Sequence, residues 1–232
     1  MSNDFFKFRQ FTVWHDRCAM KTGTDGVLLG AWANGGSCIL DIGTGSGLIA
    51  LFMAQRFKDA FVTAIDIDDG AYEQAGENVN RSVFKSRINV IKSPLQLFQS
   101  LNKYDAIVCN PPFFNNSLKN KDNQRTVARH TDSLSYRDLF RGVASLLDDE
   151  GEFSAIIPST CRSDFDMEAL FAGLYPRRLC AVRTVPRKPV SRYLLSYGKR
   201  PVNVVEESAL CLNDSDGISP EWYLRLKTDF YL

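Results

Sequence analysis

Short apolar runs alternate along this chain with longer segments in which apolar residues recur at helical spacing. The runs predict seven strands, at Cys38–Asp41, Phe61–Asp66, Ile88–Ile91, Asp105–Cys109, Glu152–Ile157, Cys180–Val185 and Tyr193–Tyr197. The segments between them predict helices at Leu48–Phe57, Gly70–Phe84, Tyr136–Leu147 and Ser163–Tyr175. This alternation predicts an α/β fold, in which helices cover both faces of a mostly parallel, seven-stranded sheet.

The two ends of the chain lie outside this alternation. Residues 1–37 contain a helical segment at Asp25–Ala33, and residues 202–232 predict a small strand-helix addition, with the strand at Val204–Leu212 and the helix at Pro220–Phe230. Repeats and Gly/Ser-rich linkers are absent from the sequence. We therefore expect one domain over residues 1–232, with an N-terminal cap over its site.

A glycine-rich segment, Asp41-Ile42-Gly43-Thr44-Gly45-Ser46-Gly47, follows the first predicted strand and precedes a helix. Glycines there let backbone N–H groups approach a ligand that a Cβ would exclude. The G-x-G-x-G spacing differs from the G-x-G-x-x-G of dinucleotide sites and favours S-adenosylmethionine. We expect cofactor contacts from Asp41, Gly43, Gly45 and Gly47.

An acidic residue ends the second predicted strand. Asp66 lies about 20 residues beyond the glycine loop, where a carboxylate accepts hydrogen bonds from both ribose hydroxyls of a nucleoside. We expect Asp66 and the next residue, Ile67, to contact the cofactor. Asp68 is a nearby rival for this role, but the end of the strand favours Asp66.

A second motif, Asn110-Pro111-Pro112-Phe113, follows the fourth predicted strand and so faces the glycine loop at the carboxyl edge of the sheet. The Asn110 side-chain oxygen and the Pro111 carbonyl can each accept one proton of a planar amino group. Phe113 offers a ring on which a base can stack. The two motifs together predict methyl transfer to an exocyclic or amide nitrogen, with Asn110, Pro111, Pro112 and Phe113 as the catalytic set.

Basic residues are unevenly distributed, although the formal net charge is only +1. Eight basic and no acidic residues lie between Glu168 and Glu206, with Tyr175 and Tyr193 among them. The polar connection from Phe114 to Leu134 is long enough to suggest a functional segment. Candidate RNA contacts in these two regions are Arg125, Arg129, His130, Arg177, Arg178, Arg187, Lys188 and Arg192.

Other features argue against several classes of protein. The six cysteines form no C-x-x-C pair, and neither His15 nor His130 has a second ligand at metal spacing, so we expect no metal site. The sequence shows no membrane-length apolar stretch and no secretory signal. We expect a cytoplasmic protein without a membrane partner, and no obligate protein partner is evident.

The N-terminal block narrows the acceptor. The segments Phe8–Val13 and His15–Trp32, the latter reading HDRCAMKTGTDGVLLGAW, closely resemble the bacterial valine-tRNA adenine-N6 methyltransferases, and the similarity extends over nearly the whole chain. Family members often carry Tyr where this chain has Phe113, which preserves stacking but removes a phenolic hydrogen bond.

The resemblance implies a Rossmann-like class I methyltransferase that uses S-adenosylmethionine and releases S-adenosylhomocysteine. It implies that Lys21, Thr22 and Gly23 fold over the methionine part of the cofactor, that Ser93, Pro94 and Leu95 border its adenine, and that Asn110 also contacts it. The implied substrate is the N6 amino group of the adenosine 3′ of the anticodon, position 37, in a valine tRNA.

Two other acceptors and one other class of function stay open. The two motifs alone fit a methyltransferase for guanine-N2 in RNA or for a glutamine amide in a protein, because each acceptor is a planar NH2. A non-catalytic RNA-binding module on the same scaffold would bind RNA without binding the cofactor.

Overall fold

The computed structural model describes residues 4–18, 23–112, 134–213 and 219–231. Its strands are β1 (Phe5–Lys7), β2 (Thr12–Trp14), β3 (Cys38–Ile42), β4 (Phe61–Asp66), β5 (Ile88–Lys92), β6 (Tyr104–Cys109), β7 (Leu147–Pro158), β8 (Tyr175–Arg183), β9 (Arg192–Gly198) and β10 (Glu206–Cys211). Its α-helices are α1 (Thr24–Trp32), α2 (Leu48–Arg56), α3 (Asp69–Arg81), α4 (Tyr136–Leu146), α5 (Arg162–Phe171) and α6 (Glu221–Asp229).

The central sheet has the order β10-β8-β9-β7-β6-β3-β4-β5. Its neighbours pair in parallel except that β9 runs antiparallel to both β7 and β8. The predicted α/β class with a mostly parallel sheet is confirmed, but the sheet has eight strands rather than seven. The C-terminal strand β10 is the extra one, because it pairs in parallel with the otherwise open edge of β8, from Glu206 opposite Arg178 to Cys211 opposite Arg183.

Helices cover the two faces of the sheet unequally. Side chains of α1, α2 and α6 pack with one set of strand residues, which includes Ile39, Val62 and Leu194. Side chains of α4 and α5 pack on the opposite face, against residues such as Leu40 and Tyr197. Strand residues alternate between these two cores, as the pleat requires, so the apolar runs noted in the sequence are buried on both sides.

The two ends of the described chain pack against each other. The Arg9 amide donates to the Phe230 carbonyl over 2.9 Å, and the Phe230 ring stacks on Phe52 of α2 with a centroid distance of 4.1 Å. Phe8 and Phe11 complete this aromatic cluster against Phe52. A hairpin of β1 and β2, which the sequence pattern missed, therefore closes one side of the domain together with α6.

One buried amide fixes the N-terminal hairpin over the glycine loop. Asn78 of α3 is fully buried and accepts the Trp14 amide over 3.0 Å, while its Nδ2 donates to the carbonyls of Trp14 and Ser46, each over 2.8 Å. The chain then runs along α3, where the Arg17 amide donates to Gln74 over 3.2 Å. Asn78 thus joins three separate parts of the chain at one point.

Among the described residues, no helix combines the length and apolar character needed to cross a membrane.

Replacing Asn78 with Ala should cost about 3 kcal/mol of unfolding free energy, because it leaves one buried amide and two carbonyls without partners. Urea unfolding measures the loss. Asn80→Ala is the matched control, since Asn80 is exposed on the same helix, and it should change stability by less than about 0.5 kcal/mol. Equal effects at the two positions would contradict the bridging role of Asn78.

Candidate active site

The connection from β3 to α2 is a loop that requires glycine at three positions. Gly43, Gly45 and Gly47 have φ values of 67°, 57° and 80°, in the left-handed region that a Cβ disfavours. The amides of Gly43 and Thr44 donate to the Ile65 carbonyl over 2.9 and 3.0 Å. The loop is thereby tied to the end of β4, and a Cβ on Gly43 or Gly45 would point into open space.

Asp41 supports the glycine loop from beneath. Its carboxylate is fully buried, and Oδ2 accepts hydrogen bonds from Thr44 Oγ1 (2.6 Å) and from the Ala50 amide (3.1 Å). Its Oδ1 has no hydrogen-bond partner among the described residues. Burial raises the pKa of Asp41 to about 7, although the bonds from Thr44 and Ala50 oppose this shift.

Two cavities open at the carboxyl edge of the sheet, and two of the predicted cofactor contacts, Asp41 and Gly47, line neither of them. Asp41 is buried behind the loop and lines neither cavity; its hydrogen bonds hold the loop, and a contact from Asp41 to the cofactor stays a prediction. Gly47 directly precedes α2 and also lines neither cavity; a Cβ there would lie 3.4 Å from Ala75 of α3. The left-handed φ of 80°, rather than a lack of space, favours glycine at this position.

A cavity of about 450 Å3 opens at the carboxyl ends of β3, β4 and β6. Nine of the predicted residues fall into two groups here: Gly43, Gly45, Asp66 and Ile67 line it beside the loop, and Ser93, Pro94, Leu95, Asn110 and Pro112 line it further along the edge. Cys18, Asp68 and Leu134 line it as well, and the sequence pattern did not single out Cys18 or Leu134 for this cavity.

Asp66 and Asp68 both border this cavity but make different contacts. Asp66 Oδ2 accepts the Gly45 amide over 2.8 Å and Oδ1 accepts the Asp68 amide over 3.0 Å. Each oxygen of Asp66 keeps a second lone pair for a hydroxyl in the cavity. Asp68 instead caps α3, where its Oδ1 accepts the Ala71 amide over 2.8 Å.

A second cavity of about 310 Å3 adjoins the first and lies between the glycine loop and the first turn of α1. Gly23, Thr24 and Asp25 line its outer side. Gly43, Gly45 and Asn110 line both cavities. The buried Asn110 Oδ1 has no hydrogen-bond partner among the described residues, so an unsatisfied acceptor lies at the junction.

Two cysteines line the first cavity without offering a reactive thiolate. Burial, with smaller contributions from Asp66, Asp68 and Asp16, raises the pKa of Cys18 to about 11. Cys109 at the end of β6 is fully buried, and burial raises its pKa well above the usual value. Both thiols are therefore neutral at physiological pH, and the chemistry at this edge depends on positioning rather than on a sulfur nucleophile.

The basic residues between Glu168 and Glu206 lie at both ends of strands β8 and β9, some at the carboxyl edge of the sheet and the others at the opposite, amino edge. Arg187 and Lys188 are exposed on the loop between β8 and β9, at the carboxyl edge that holds the cavities. Arg192 begins β9 at the same edge, where its Nε donates to Asp25 over 2.9 Å. These residues can present positive charge to a ligand at the cavities.

Arg177 and Arg178 lie at the opposite edge, near the start of β8, together with Lys199 and Arg200. Arg178 is paired with Glu152 over 3.0 Å and covers the Trp32 ring at 4.1 Å. These contacts occupy the mostly buried guanidinium of Arg178 at the edge away from the cavities, and a contact from Arg178 to RNA stays a prediction. Arg177 packs over Gly198 beside it and is remote from the cavities.

Several predicted residues lie outside the described part of the chain: Lys21, Thr22, Phe113, Arg125, Arg129 and His130. Pro111 is described and buried behind Pro112. Within the described ranges, no group of three or more His, Cys, Asp or Glu side chains could hold a metal ion.

Comparison with known proteins agrees with this arrangement. The model of the methyltransferase small domain family matches residues 22–175. A tRNA1(Val) (adenine(37)-N6)-methyltransferase of Bacteroides fragilis is 48% identical over 237 aligned residues, which cover 100% of this chain and 99% of that protein.

Solved structures share the fold at lower identity. A protein of Agrobacterium tumefaciens described as a predicted O-methyltransferase has a TM-score of 0.65 and 17% identity, over 89% of this chain and 96% of that one. A TehB-like SAM-dependent methyltransferase of Corynebacterium glutamicum has a TM-score of 0.52 and 17% identity, over 77% of this chain and 90% of that one.

The fold is that of the class I methyltransferases, and the family model together with the full-length relatives shows that this protein is an S-adenosylmethionine-dependent methyltransferase. More particularly, the chain belongs to the methyltransferase small domain family and to the family of the tRNA1(Val) (adenine(37)-N6)-methyltransferases.

Asp66→Asn should weaken S-adenosylhomocysteine binding about tenfold, because a charged acceptor for hydroxyls is lost from the cavity. Asp68→Asn is the matched control, since Asn caps helices as well as Asp does, and its affinity should stay within twofold of the wild type. Isothermal titration calorimetry compares the three proteins. Equal losses at both positions, or none, would rule out the distinction drawn between the two carboxylates.

Asp41 should make stability fall as pH rises. Because its folded-state pKa of about 7 lies above the ordinary value of 3.8, its contribution is fully present below about pH 4 and is lost as pH rises through 7. Asp41→Asn removes this titration and keeps an acceptor for Thr44 and Ala50. Urea unfolding should therefore show that the unfolding free energy of the variant, relative to that of the wild type, increases between about pH 4 and pH 7.5. The increase should be on the order of a few kcal/mol. A stability difference that is constant over this range would contradict the ionisation assigned to Asp41.

Proposed function

We propose that this protein transfers the methyl group of S-adenosylmethionine to the N6 amino group of adenosine 37 in a valine tRNA and releases S-adenosylhomocysteine. The observation that carries the proposal is Asn110, which lines both cavities and whose Oδ1 has no hydrogen-bond partner among the described residues. The full-length relatives named for this reaction support the choice of acceptor.

The residues present fit the cofactor. Asp66 offers free lone pairs for ribose hydroxyls, and the larger cavity, with Ile67, Ser93, Pro94 and Leu95, suits an adenosine. The smaller cavity beneath the first turn of α1 suits the methionine part, with Gly23 on its outer side. Lys21 and Thr22 precede that turn in sequence and remain assigned by resemblance. The cofactor supplies an electrophilic methyl group on a sulfonium.

Asn110 is the centre of the proposed acceptor site. An exocyclic amino group has its lone pair delocalised into the ring, so it is a poor nucleophile until its protons are held. The Asn110 Oδ1 and the Pro111 carbonyl each accept one of these protons, which increases electron density on nitrogen and directs its lone pair towards the cofactor side of the junction. Pro112 lines the cavity beside them, and Phe113 is proposed to stack on the base.

The RNA would approach across the carboxyl edge of the sheet. Adenosine 37 is unpaired in the anticodon loop, so its extrusion costs less than that of a paired base. Arg187, Lys188 and Arg192 lie at that edge and are proposed to contact phosphates. Arg125, Arg129 and His130 belong to the connection before α4 and remain candidates from the sequence.

The whole chain is proposed to act as one catalytic domain. Residues 1–37 bring Cys18 and Gly23 to the cavities and form the cap, while residues 202–232 add β10 and α6. This proposal requires a tRNA substrate as the partner. Because tRNA is the substrate, we also propose that the protein acts in the cytoplasm.

Incubating the protein with labelled S-adenosylmethionine and total tRNA that lacks the modification should yield N6-methyladenosine at position 37 of a valine tRNA, measured by nucleoside mass spectrometry and mapping. Asn110→Ala should lower kcat by at least about a hundredfold, because the groups that hold the amino protons act mainly in the transition state.

Cofactor binding provides the control for this variant. Asn110→Ala should bind S-adenosylhomocysteine within about threefold of the wild type, because the glycine loop and Asp66 are unchanged. Turnover like that of the wild type would refute the role of Asn110. Label found in N2-methylguanosine, or in protein alone, would refute the acceptor, and tight RNA binding without cofactor binding would indicate a non-catalytic module.

A further inference from the structure

An Arg–Tyr pair in cation–π contact lies at the carboxyl edge of the sheet, outside the two cavities at the glycine loop. The guanidinium carbon of Arg162, at the start of α5, lies 4.7 Å from the ring centroid of Tyr193 in β9. This separation is within the range of a cation–π contact. Neither residue lines the two cavities at the glycine loop.

The Arg162 guanidinium is anchored by its edge. Its Nε lies 3.3 Å from Asp166 Oδ2, one turn along α5. Asp166 is itself fixed, because the buried Tyr197 hydroxyl donates to its other oxygen over 2.5 Å. An edge-on hydrogen bond leaves both flat faces of the guanidinium available, and Tyr193 occupies one of them. The Arg162 side chain is 40% exposed, so part of it is accessible to a ligand.

The register of the sheet gives the distance from this pair to the acceptor site. Cys109, the residue before Asn110, pairs with Ala155 of β7, and Tyr193 pairs with Ile157 of the same strand. With strands about 4.8 Å apart and a rise of about 3.3 Å per residue, the backbones at Asn110 and Tyr193 are separated by roughly 10 Å along one edge. A nucleotide next to the extruded adenosine lies at a comparable distance from it.

The charges around the pair suit a single-stranded nucleic acid. Arg187 and Lys188 on the exposed loop before β9 belong to the same edge, as does Arg192, the residue before Tyr193. Proteins that recognise unpaired RNA stack bases on aromatic rings and on the planes of arginine guanidinium groups. A rigid, half-exposed guanidinium plane beside a basic loop has the chemistry of such a site.

We propose that Arg162, supported by Tyr193, forms a stacking platform for a base that flanks the methylated adenosine in the anticodon loop. The base lies on the other face of the guanidinium, and Tyr193 lies beneath it. This inference rests on the proposed function, because it assumes that an anticodon loop enters at Asn110. It adds a subsite that helps to select the loop and to position the target adenosine.

The test measures binding of a fluorescein-labelled anticodon stem-loop of the valine tRNA to the full-length protein saturated with S-adenosylhomocysteine. Arg162→Lys keeps the charge but removes the plane. It should raise the Kd about tenfold while leaving the slope of log Kd against log salt unchanged. Tyr193→Leu should weaken binding in the same direction, since the guanidinium loses its support.

Matched substitutions elsewhere serve as controls. Arg141→Lys changes an exposed arginine on α4, and Tyr175→Leu changes a partly exposed tyrosine at the opposite edge of the sheet. Both should bind the stem-loop within twofold of the wild type. Thermal unfolding of each variant separates a loss of the platform from a loss of the fold, and Arg162→Lys keeps a positive charge beside Asp166.

An abasic nucleotide identifies the stacked base. Replacing one of the two neighbours of adenosine 37 with an abasic residue should raise the Kd of the wild type about tenfold. For Arg162→Lys, the abasic stem-loop should bind almost as tightly as the intact stem-loop does. The platform would be overturned if Arg162→Lys bound the stem-loop as tightly as the wild type does. It would also be overturned if, at both flanking positions, the abasic nucleotide weakened binding by the same factor in Arg162→Lys as in the wild type.

Methylation of the same stem-loop by the wild type is measured separately. Platform-dependent binding without methylation of adenosine 37 would refute the proposed acceptor and retain the platform. Methylation of adenosine 37 with binding that ignores Arg162 and the flanking bases would retain the proposed function and refute the platform.

Discussion

The buried carboxylate of Asp41 holds together the part of the molecule on which its chemistry depends. Three glycines in the left-handed region give the loop after β3 its shape, but such residues also have the most conformations to lose on folding. The hydrogen bonds from Thr44 and Ala50 to Asp41 tie the start of the loop and the first turn of α2 to one buried oxygen. The cost of burying the charge is visible in the raised pKa of that group, and the gain is a rigid floor for both cavities.

A second constraint acts from outside the loop. Asn78 connects the N-terminal hairpin to the Ser46 carbonyl within the glycine loop, and Asp66 accepts the Gly45 amide from the neighbouring strand. The loop is therefore held from below, from the side and from the cap, before any ligand binds. This preorganisation suits a reaction in which no nucleophilic side chain is needed and in which the protein supplies alignment and hydrogen-bond acceptors.

Much of the sheet could be predicted because its strands are continuous apolar runs, buried on both faces and separated by helices. The hairpin of β1 and β2 could not, since its three-residue strands exist through contacts with Phe52, Phe230 and Asn78 that are distant in sequence. The eighth strand was predicted as an element, but its place in the sheet depends on the open edge of β8. Glycines and Asp66 identified the loop because each has a local backbone requirement, whereas the part played by Asp41 follows from burial that sequence does not display.

The basic window shows why charge counted along a chain is a weak guide to a binding surface. The two ends of a strand lie at opposite edges of the sheet. Arg187 and Lys188 therefore lie at the carboxyl edge, whereas Arg178, Lys199 and Arg200 lie at the other. The latter three are paired with Glu152, Asp149 and Glu150 on β7. Those pairs join the antiparallel part of the sheet to its parallel part, where β7 meets β9. The same reversal of β9 brings its first residues, Arg192 and Tyr193, to the carboxyl edge, so one change of strand direction both closes the sheet and equips the acceptor side with positive charge and an aromatic ring.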